Sequence, residues 1–243
     1  EIHKDLSIEY AQNKGKNVVI TGYPECDVLL DKKYSPKNIW KKQSKEKKKI
    51  IWTPHQSIED NEKELGFSCF FKYHQVMLDV AKKYEDKIQI AFKPHPLLKI
   101  KLYNHSNWGR NKTNLYYEKW EKMSNTQVET SQYIDLFLTS DAIINSSVSF
   151  TAEYLYTGKP ALFNVKDSKI QSKFNPLGKI AFEKWYKSYK KEDIVKFIEE
   201  IILGKSDILK ESRNKFIKEY LIPPNCKTAS ENIIDDLKKE IRG

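Results

Sequence analysis

The sequence predicts an α/β protein: a Rossmann-like parallel sheet with helices on both faces. Three observations carry this reading. Short β-branched or aromatic runs recur along the chain, and each stops at glycine, proline or small polar residues. Between them lie stretches with apolar residues at helical spacing, as at Phe70, Tyr73, Val76, Met77, Val80, Ala81 and Tyr84. The two kinds alternate over roughly 30 residues, the length of a strand–helix–strand unit in a parallel sheet.

Taken in order, residues 18–21 of VVITGYPECD form the first predicted strand, stopped by Gly22 and Pro24. The basic run KKQSKEKKK at 41–49 reads as a solvated loop rather than a binding patch. KIIWTPH supplies a second strand ended by Pro54, and residues 70–84 a helix with one apolar face. Residues 88–92 are a third strand, stopped by Pro94 and Pro96. The segment 99–125 reads as an extended loop with a turn-like WGRNK centre and one helix over 116–123. TSQYIDLFLTSD reads as a short helix capped by Thr130 or Ser131. Residues 142–144 form a fourth strand, 149–156 a helix and PALFNV a fifth strand. Helices over 192–203, 206–219 and 228–241 complete the chain, divided by Gly204 and by Pro223-Pro224. The predicted organisation is a linker or extension at 1–16, a Rossmann-like domain at 17–203, and C-terminal helices at 204–243 packed on that domain.

With 39% hydrophobic residues, the chain can bury a core, which excludes wholesale disorder. Its formal charge of +10 favours anionic partners such as nucleotides, polyanionic polymers or an acidic membrane surface. Nucleic acid is not expected, because no helix-turn-helix, RRM or zinc pattern accompanies the charge. Cys26, Cys69 and Cys226 are odd in number and widely spaced, so no disulfide and no metal site is expected, and the compartment reads as reducing. No apolar run reaches membrane-span length, and no charged-then-apolar leader follows Glu1. The expectation is a piece of a longer cytoplasmic protein, peripheral on the inner face of the membrane.

Ligands of open parallel sheets sit beyond the carboxyl ends of the strands. The chemistry-bearing residues cluster there. Asn145, Ser146, Ser147 and Ser149 stand where a strand hands over to a helix, and their polar groups can join the helix's free N–H groups around a phosphate. The competing reading is that these serines only cap the helix. Glu153 lies one turn beyond Ser149 on the same face, where a carboxylate can accept from two vicinal ribose hydroxyls. His95 is clamped between Pro94 and Pro96 with Lys93 beside it, and His55 follows Pro54 at another strand end. Either histidine alone could be a packed loop residue; two at separate strand ends of one sheet point to phosphate binding or proton movement. His3, His74 and His105 receive no role.

The motifs VVITGYPECD, IIWTPHQSI, IQIAFKPHPLL, NWGRNKTNLYYEKW and SDAIINSSVSFTAEYLYTGKPALF, in this order, resemble the CDP-glycerol glycerophosphotransferase-like family of teichoic acid and capsular polysaccharide synthesis. The resemblance covers roughly residues 17–165 and implies a GT-B architecture, two Rossmann-like domains across a cleft, with this chain as the C-terminal, donor-binding half. It implies a CDP-linked donor as substrate, without further cofactor, and transfer of a glycerol-phosphate-like unit to a polysaccharide or teichoic-acid-like acceptor. His95 would line the donor site and serve transfer, 146–149 would hold the pyrophosphate, and Glu153 would approach the ribose. A partner N-terminal domain would supply another catalytic histidine, and the half read here need not turn over alone. Ser146 stands where many members carry an aspartate, and Val148 where a small residue is common and would narrow the approach of phosphate. Two other readings stay open: a GT-B glycosyltransferase using a UDP- or CMP-sugar, and a non-catalytic module binding an anionic polymer.

Overall fold

The structure is a computed structural model that describes residues 2–58 and 66–242. Six strands, β1 (Lys48–Thr53), β2 (Ile88–Phe92), β3 (Thr126–Val128), β4 (Ala142–Asn145), β5 (Ala161–Asn164) and β6 (Tyr186–Ser188), pair in parallel in the order 3-2-1-4-5-6. The chain runs outward from β1 to β3, crosses back, and runs outward again from β4 to β6. The reversal falls between β1 and β4, which pair through Ile50–Ala142 to Thr53–Asn145. A doubly wound sheet opens its ligand crevice at this point, beyond the strand ends.

Alternation along β1 shows how the sequence makes two buried faces. Ile50 and Trp52 point to one side, with Ile88, Ile90, Phe92, Ile144 and Leu162. Ile51 points to the other, with Ala91, Ile143, Ala161 and Phe163. Because helices cover both faces, these strands read as continuous apolar runs rather than as alternating ones. They are α1 (Ile2–Tyr10), α2 (Asp27–Leu30), α3 (Phe70–Lys83), α4 (Leu98–Asn104), α5 (Gly109–Lys122), α6 (Ile134–Thr139), α7 (Phe150–Glu153), α8 (Pro176–Phe182), α9 (Lys191–Lys196), α10 (Lys210–Phe216) and α11 (Ala229–Arg242). On the first face Trp52, Phe92 and Trp120 of α5 stack with centroids 4.9–5.4 Å apart. This anchors α5 beneath the ends of β1 and β2.

Several sequence expectations are corrected. Residues 18–21 are not a strand: Gly22 adopts φ +98 and sits so close to Pro223 and Ala229 that a Cβ would meet Pro223 Cβ at 2.9 Å. The segment lies against the start of α11, where the Thr21 carbonyl accepts from Asn232 Nδ2, and Val19 is left 54% exposed. The segment 99–125 is not an extended loop, since α4 and α5 fill most of it and the GRNK of its centre starts α5. Its aromatic residues are the buried side of that helix, Tyr116, Tyr117 and Trp120. The basic run is only partly a loop. Lys48 and Lys49 open β1, where Asp141 binds the Lys48 ammonium at 2.7 Å and the Lys49 amide at 2.8 Å. Lys41 caps the end of α5 through the Met123 carbonyl. Neither Thr130 nor Ser131 caps α6; Tyr133 is its N-cap and makes no side-chain bond. Edge strands β3 and β6 and helices α1 and α8 went unforeseen. The predicted helix at 228–241 is α11, where Thr228 and Glu231 cap reciprocally and Asp27 accepts from the Ala229 and Ser230 amides. Among the described residues no helix is long and apolar enough to cross a membrane.

Candidate functional site

The turn after β4 is held by its own side chains. Thr53 Oγ1 donates to Asn145 Oδ1 at 2.7 Å, and the same oxygen accepts the Ser147 amide at 2.7 Å. The Asn145 amide nitrogen donates to the Ser147 carbonyl, also at 2.7 Å. Ser146 donates its backbone N–H to the Thr53 carbonyl, and its Oγ accepts the His55 N–H at 3.3 Å. Asn145 and Ser146 are fully buried, so their polar groups shape the turn. Ser147 and Ser149 remain, and both line the cleft above. Ser149 makes no side-chain capping bond, so its hydroxyl does not serve as a helix cap. The predicted helix over 149–156 is one α-turn, α7, continued as a 3-10 segment, Tyr154–Thr157, so little helix dipole stands behind this site. Val148 is packed against the core and does not border the cleft, so it does not narrow the approach of phosphate.

The opposite wall follows β2. The Lys93 amide donates to the Trp52 carbonyl, and its ammonium donates to the Ser131 carbonyl. Burial lowers the Lys93 pKa, with Glu129 pulling the other way. His95 donates its backbone N–H to the Pro54 carbonyl, and its Nδ1 accepts the Leu97 N–H at 3.2 Å. In the neutral ring the proton therefore sits on Nε2, which makes that atom the donor. Burial lowers the His95 pKa, which favours this neutral form. His55 is 8% exposed and lies behind His95, with ring centroids 5.4 Å apart and edge-on. Its Nδ1 is 2.8 Å from Ser57 Oγ. Burial, then His95 and Lys101, push its pKa down to about 4.

The two walls enclose a cleft of ≈ 610 Å³ at the topological switch point. Of the residues chosen from sequence, the fold brings Lys93, His95, Ser147, Ser149 and Glu153 onto its surface. His55, Asn145 and Ser146 are not on that surface; they support it from behind. Sequence reasoning missed Glu25, Lys99, Tyr117 and Tyr133, which also border the cleft. Glu25 stands in the quoted VVITGYPECD, but nothing in its spacing ties it to Glu153. Here the 3-10 turn Pro24–Cys26 brings it close, and the Tyr23 hydroxyl donates to it at 2.7 Å. Burial pushes the Glu153 pKa up to about 7; the Tyr133 hydroxyl opposes this and Glu25 adds to it. The Tyr133 hydroxyl makes no well-formed hydrogen bond to a protein atom. A second hollow of ≈ 470 Å³, between residues 19–21 and α11, mixes lysines with Asp235 and Asp236 and lies away from the strand ends.

Similar solved structures share this fold. A variant of the wall teichoic acid polymerase TagF, soaked with CDPG, aligns over 99% of this chain at 15% identity with a TM-score of 0.54. The UDP-GlcNAc 2-epimerase from Methanocaldococcus jannaschii aligns over 98% at 16% identity with a TM-score of 0.51. The chain spans 57% and 59% of those two proteins, little more than half of each. No curated protein matches the sequence. The family model of the CDP-Glycerol:Poly(glycerophosphate) glycerophosphotransferases matches residues 7–237, nearly the whole chain, and the protein belongs to that family.

Proposed function

We propose that this chain is the donor-nucleotide domain of a GT-B transferase that moves a glycerol-phosphate-like unit from a CDP-linked donor to a cell-surface polysaccharide or teichoic-acid-like acceptor. The observation that carries the reading is the convergence of His95, Ser147, Ser149 and Glu153 on one cleft at the sheet's switch point, in a chain of this family. In this reading Ser147 and Ser149 donate to the pyrophosphate, and Glu153 accepts from the ribose hydroxyls. His95, neutral with its proton on Nε2, donates to the phosphate that departs with CMP. An acceptor hydroxyl oxygen forms a bond to the phosphorus carrying the polyol. The bond from that phosphorus to the bridging oxygen breaks, CMP leaves with the electron pair, and the hydroxyl proton is released. Such transfer rests mainly on positioning and electrostatics, so few residues suffice. Lys93 acts as a fixed positive charge near the phosphates; Asn145, Ser146 and His55 hold the two walls in place. No cofactor beyond the donor is invoked.

The domain boundaries follow from the same reading. Residues 1–16 serve as a linker, a role supported by α1 burying none of its residues. Residues 17–203 form the donor domain, and residues 204–243 dock on it. Fully buried Arg213 supports that docking, as it donates to the Gly158 carbonyl and pairs with Asp207. The acceptor-binding partner domain and a peripheral position on the inner membrane face belong to the same proposal. Calorimetric titration tests the reading: CDP should bind saturably and more tightly than UDP. Tighter UDP binding would favour the sugar-transferase alternative, and salt-sensitive polymer binding without a nucleotide site would favour the binding-module alternative.

A further inference from the structure

The β2 wall of the cleft carries groups that donor binding leaves unused. Tyr117 of α5 is 5% exposed and borders the cleft, yet its buried hydroxyl has no hydrogen-bond partner among the described residues. Leaving a buried hydroxyl unpaired is unfavourable, and an acceptor brought to this wall by a ligand would satisfy it. Burial holds the phenol above its ordinary pKa and keeps it a neutral donor. The ammonium of Lys99, from α4, lies 4.8 Å from the centroid of the Tyr117 ring and also borders the cleft. Among the described residues no carboxylate pairs with Lys99. Glu25 acts on Glu153, and neither carboxylate is among the groups that act on Tyr117. A cation and a phenol are both donors, so this end suits an anionic oxygen.

It is carried by other elements than the serine turn, by α4 and α5 on the β2 side. The two walls rise from β2 and β4, which flank β1 at two inter-strand spacings, about 10 Å. We propose that Tyr117 and Lys99 form a second anion subsite, which holds a phosphate of the incoming acceptor chain close behind its attacking hydroxyl. The assignment of this phosphate to the acceptor rests on the donor reading above; the subsite itself rests on the orphaned hydroxyl and its cation. With nucleotide on the serine turn, the wall that carries Tyr117 and Lys99 is left for the acceptor end.

The test is titration of the CDP-saturated chain with sn-glycerol 3-phosphate, comparing wild type with Tyr117→Phe and Lys99→Met. Saturation with CDP keeps the probe off the serine turn. Each variant should weaken glycerol 3-phosphate binding by about tenfold, the loss of one hydrogen bond or ion pair to a charged group. CDP affinity should stay unchanged. Tyr117→Phe should melt no lower than wild type, because it removes an unpaired hydroxyl, whereas a purely structural tyrosine would melt lower. Absent glycerol 3-phosphate binding in wild type, or equal binding in all three proteins, overturns the proposal. So does a loss of CDP affinity in step with the probe, which would merge the two sites. If CDP fails to bind but probe binding still depends on Tyr117 and Lys99, the subsite stands and the donor reading falls.

Discussion

The two walls of the cleft are built on opposite principles. On the β4 side, Asn145 and Ser146 bond almost wholly to their own turn and to β1, leaving the short hydroxyls of Ser147 and Ser149 facing outward. On the β2 side the cleft-facing groups are longer and less satisfied: a neutral imidazole with one nitrogen committed, an orphaned phenol, and a lysine resting on it. In the proposed function the first wall, fixed by its own hydrogen bonds, is the one that holds the diphosphate. The second has unpaired donors and a ring able to donate a proton-bearing nitrogen to developing charge. In the proposed function, position and chemistry are thus divided between the two strand ends that flank β1.

The largest effect separating the walls should come from His95. In the full-length enzyme His95→Ala should lower turnover by about 10²–10⁴, the range of a positioned proton-bearing group, while CDP affinity falls far less. His95→Gln should retain part of the binding, since an amide still donates one hydrogen bond. Steady-state kinetics beside calorimetry separates these, and equal losses in kcat and affinity would reduce His95 to a simple binding residue.

On the other wall, Asn145→Ala should act through the fold. It strands the Ser147 amide and leaves the Ser147 carbonyl and the Thr53 hydroxyl with only their longer bonds, to Thr151 Oγ1 and the Ile144 carbonyl, at about 1–3 kcal/mol of stability, and should lower Tm and CDP affinity together. Ser147→Ala and Ser149→Ala should leave Tm alone and each weaken CDP by about 1–2 kcal/mol. Denaturation curves run beside the titrations distinguish the scaffold residue from the contact residues.

The smallest effect is a pH slope. In the proposed function ribose hydroxyls donate to Glu153, so its ionised form binds; with a pKa of about 7 in the free protein, CDP affinity should rise between about pH 6 and 8. Glu153→Gln should flatten that rise. Because the folded pKa lies above the ordinary carboxylate value, the stability that protonated Glu153 contributes is present in acid and lost as pH rises through about 7. The glutamine variant should therefore gain Tm relative to wild type on the alkaline side. A parallel pH dependence in both proteins would place the titration elsewhere.

How much of this was written in the sequence differs between core and cleft. Strands β1, β2, β4 and β5 were legible because burial on both faces makes them unbroken apolar runs. The three-residue edge strands β3 and β6 are too short to show a period, and of α5 only the part over 116–122 was legible, because the residues before it are mostly polar. The strand-end rule found His95, Lys93, Ser147 and Ser149, and helical spacing found Glu153. It could not tell Ser147 from Ser146, which differ only in whether a neighbouring amide occupies the hydroxyl. Nor could it find Glu25 or Tyr117, whose placement depends on where a distant segment and a helix come to rest.

The most direct measurement of the central claim is CDP titration of wild type and Ser147→Ala at matched ionic strength. The account predicts one saturable site, preference for CDP over UDP, and a weakened isotherm in the variant with unchanged Tm. No saturable binding, or identical isotherms for the two proteins, would contradict it.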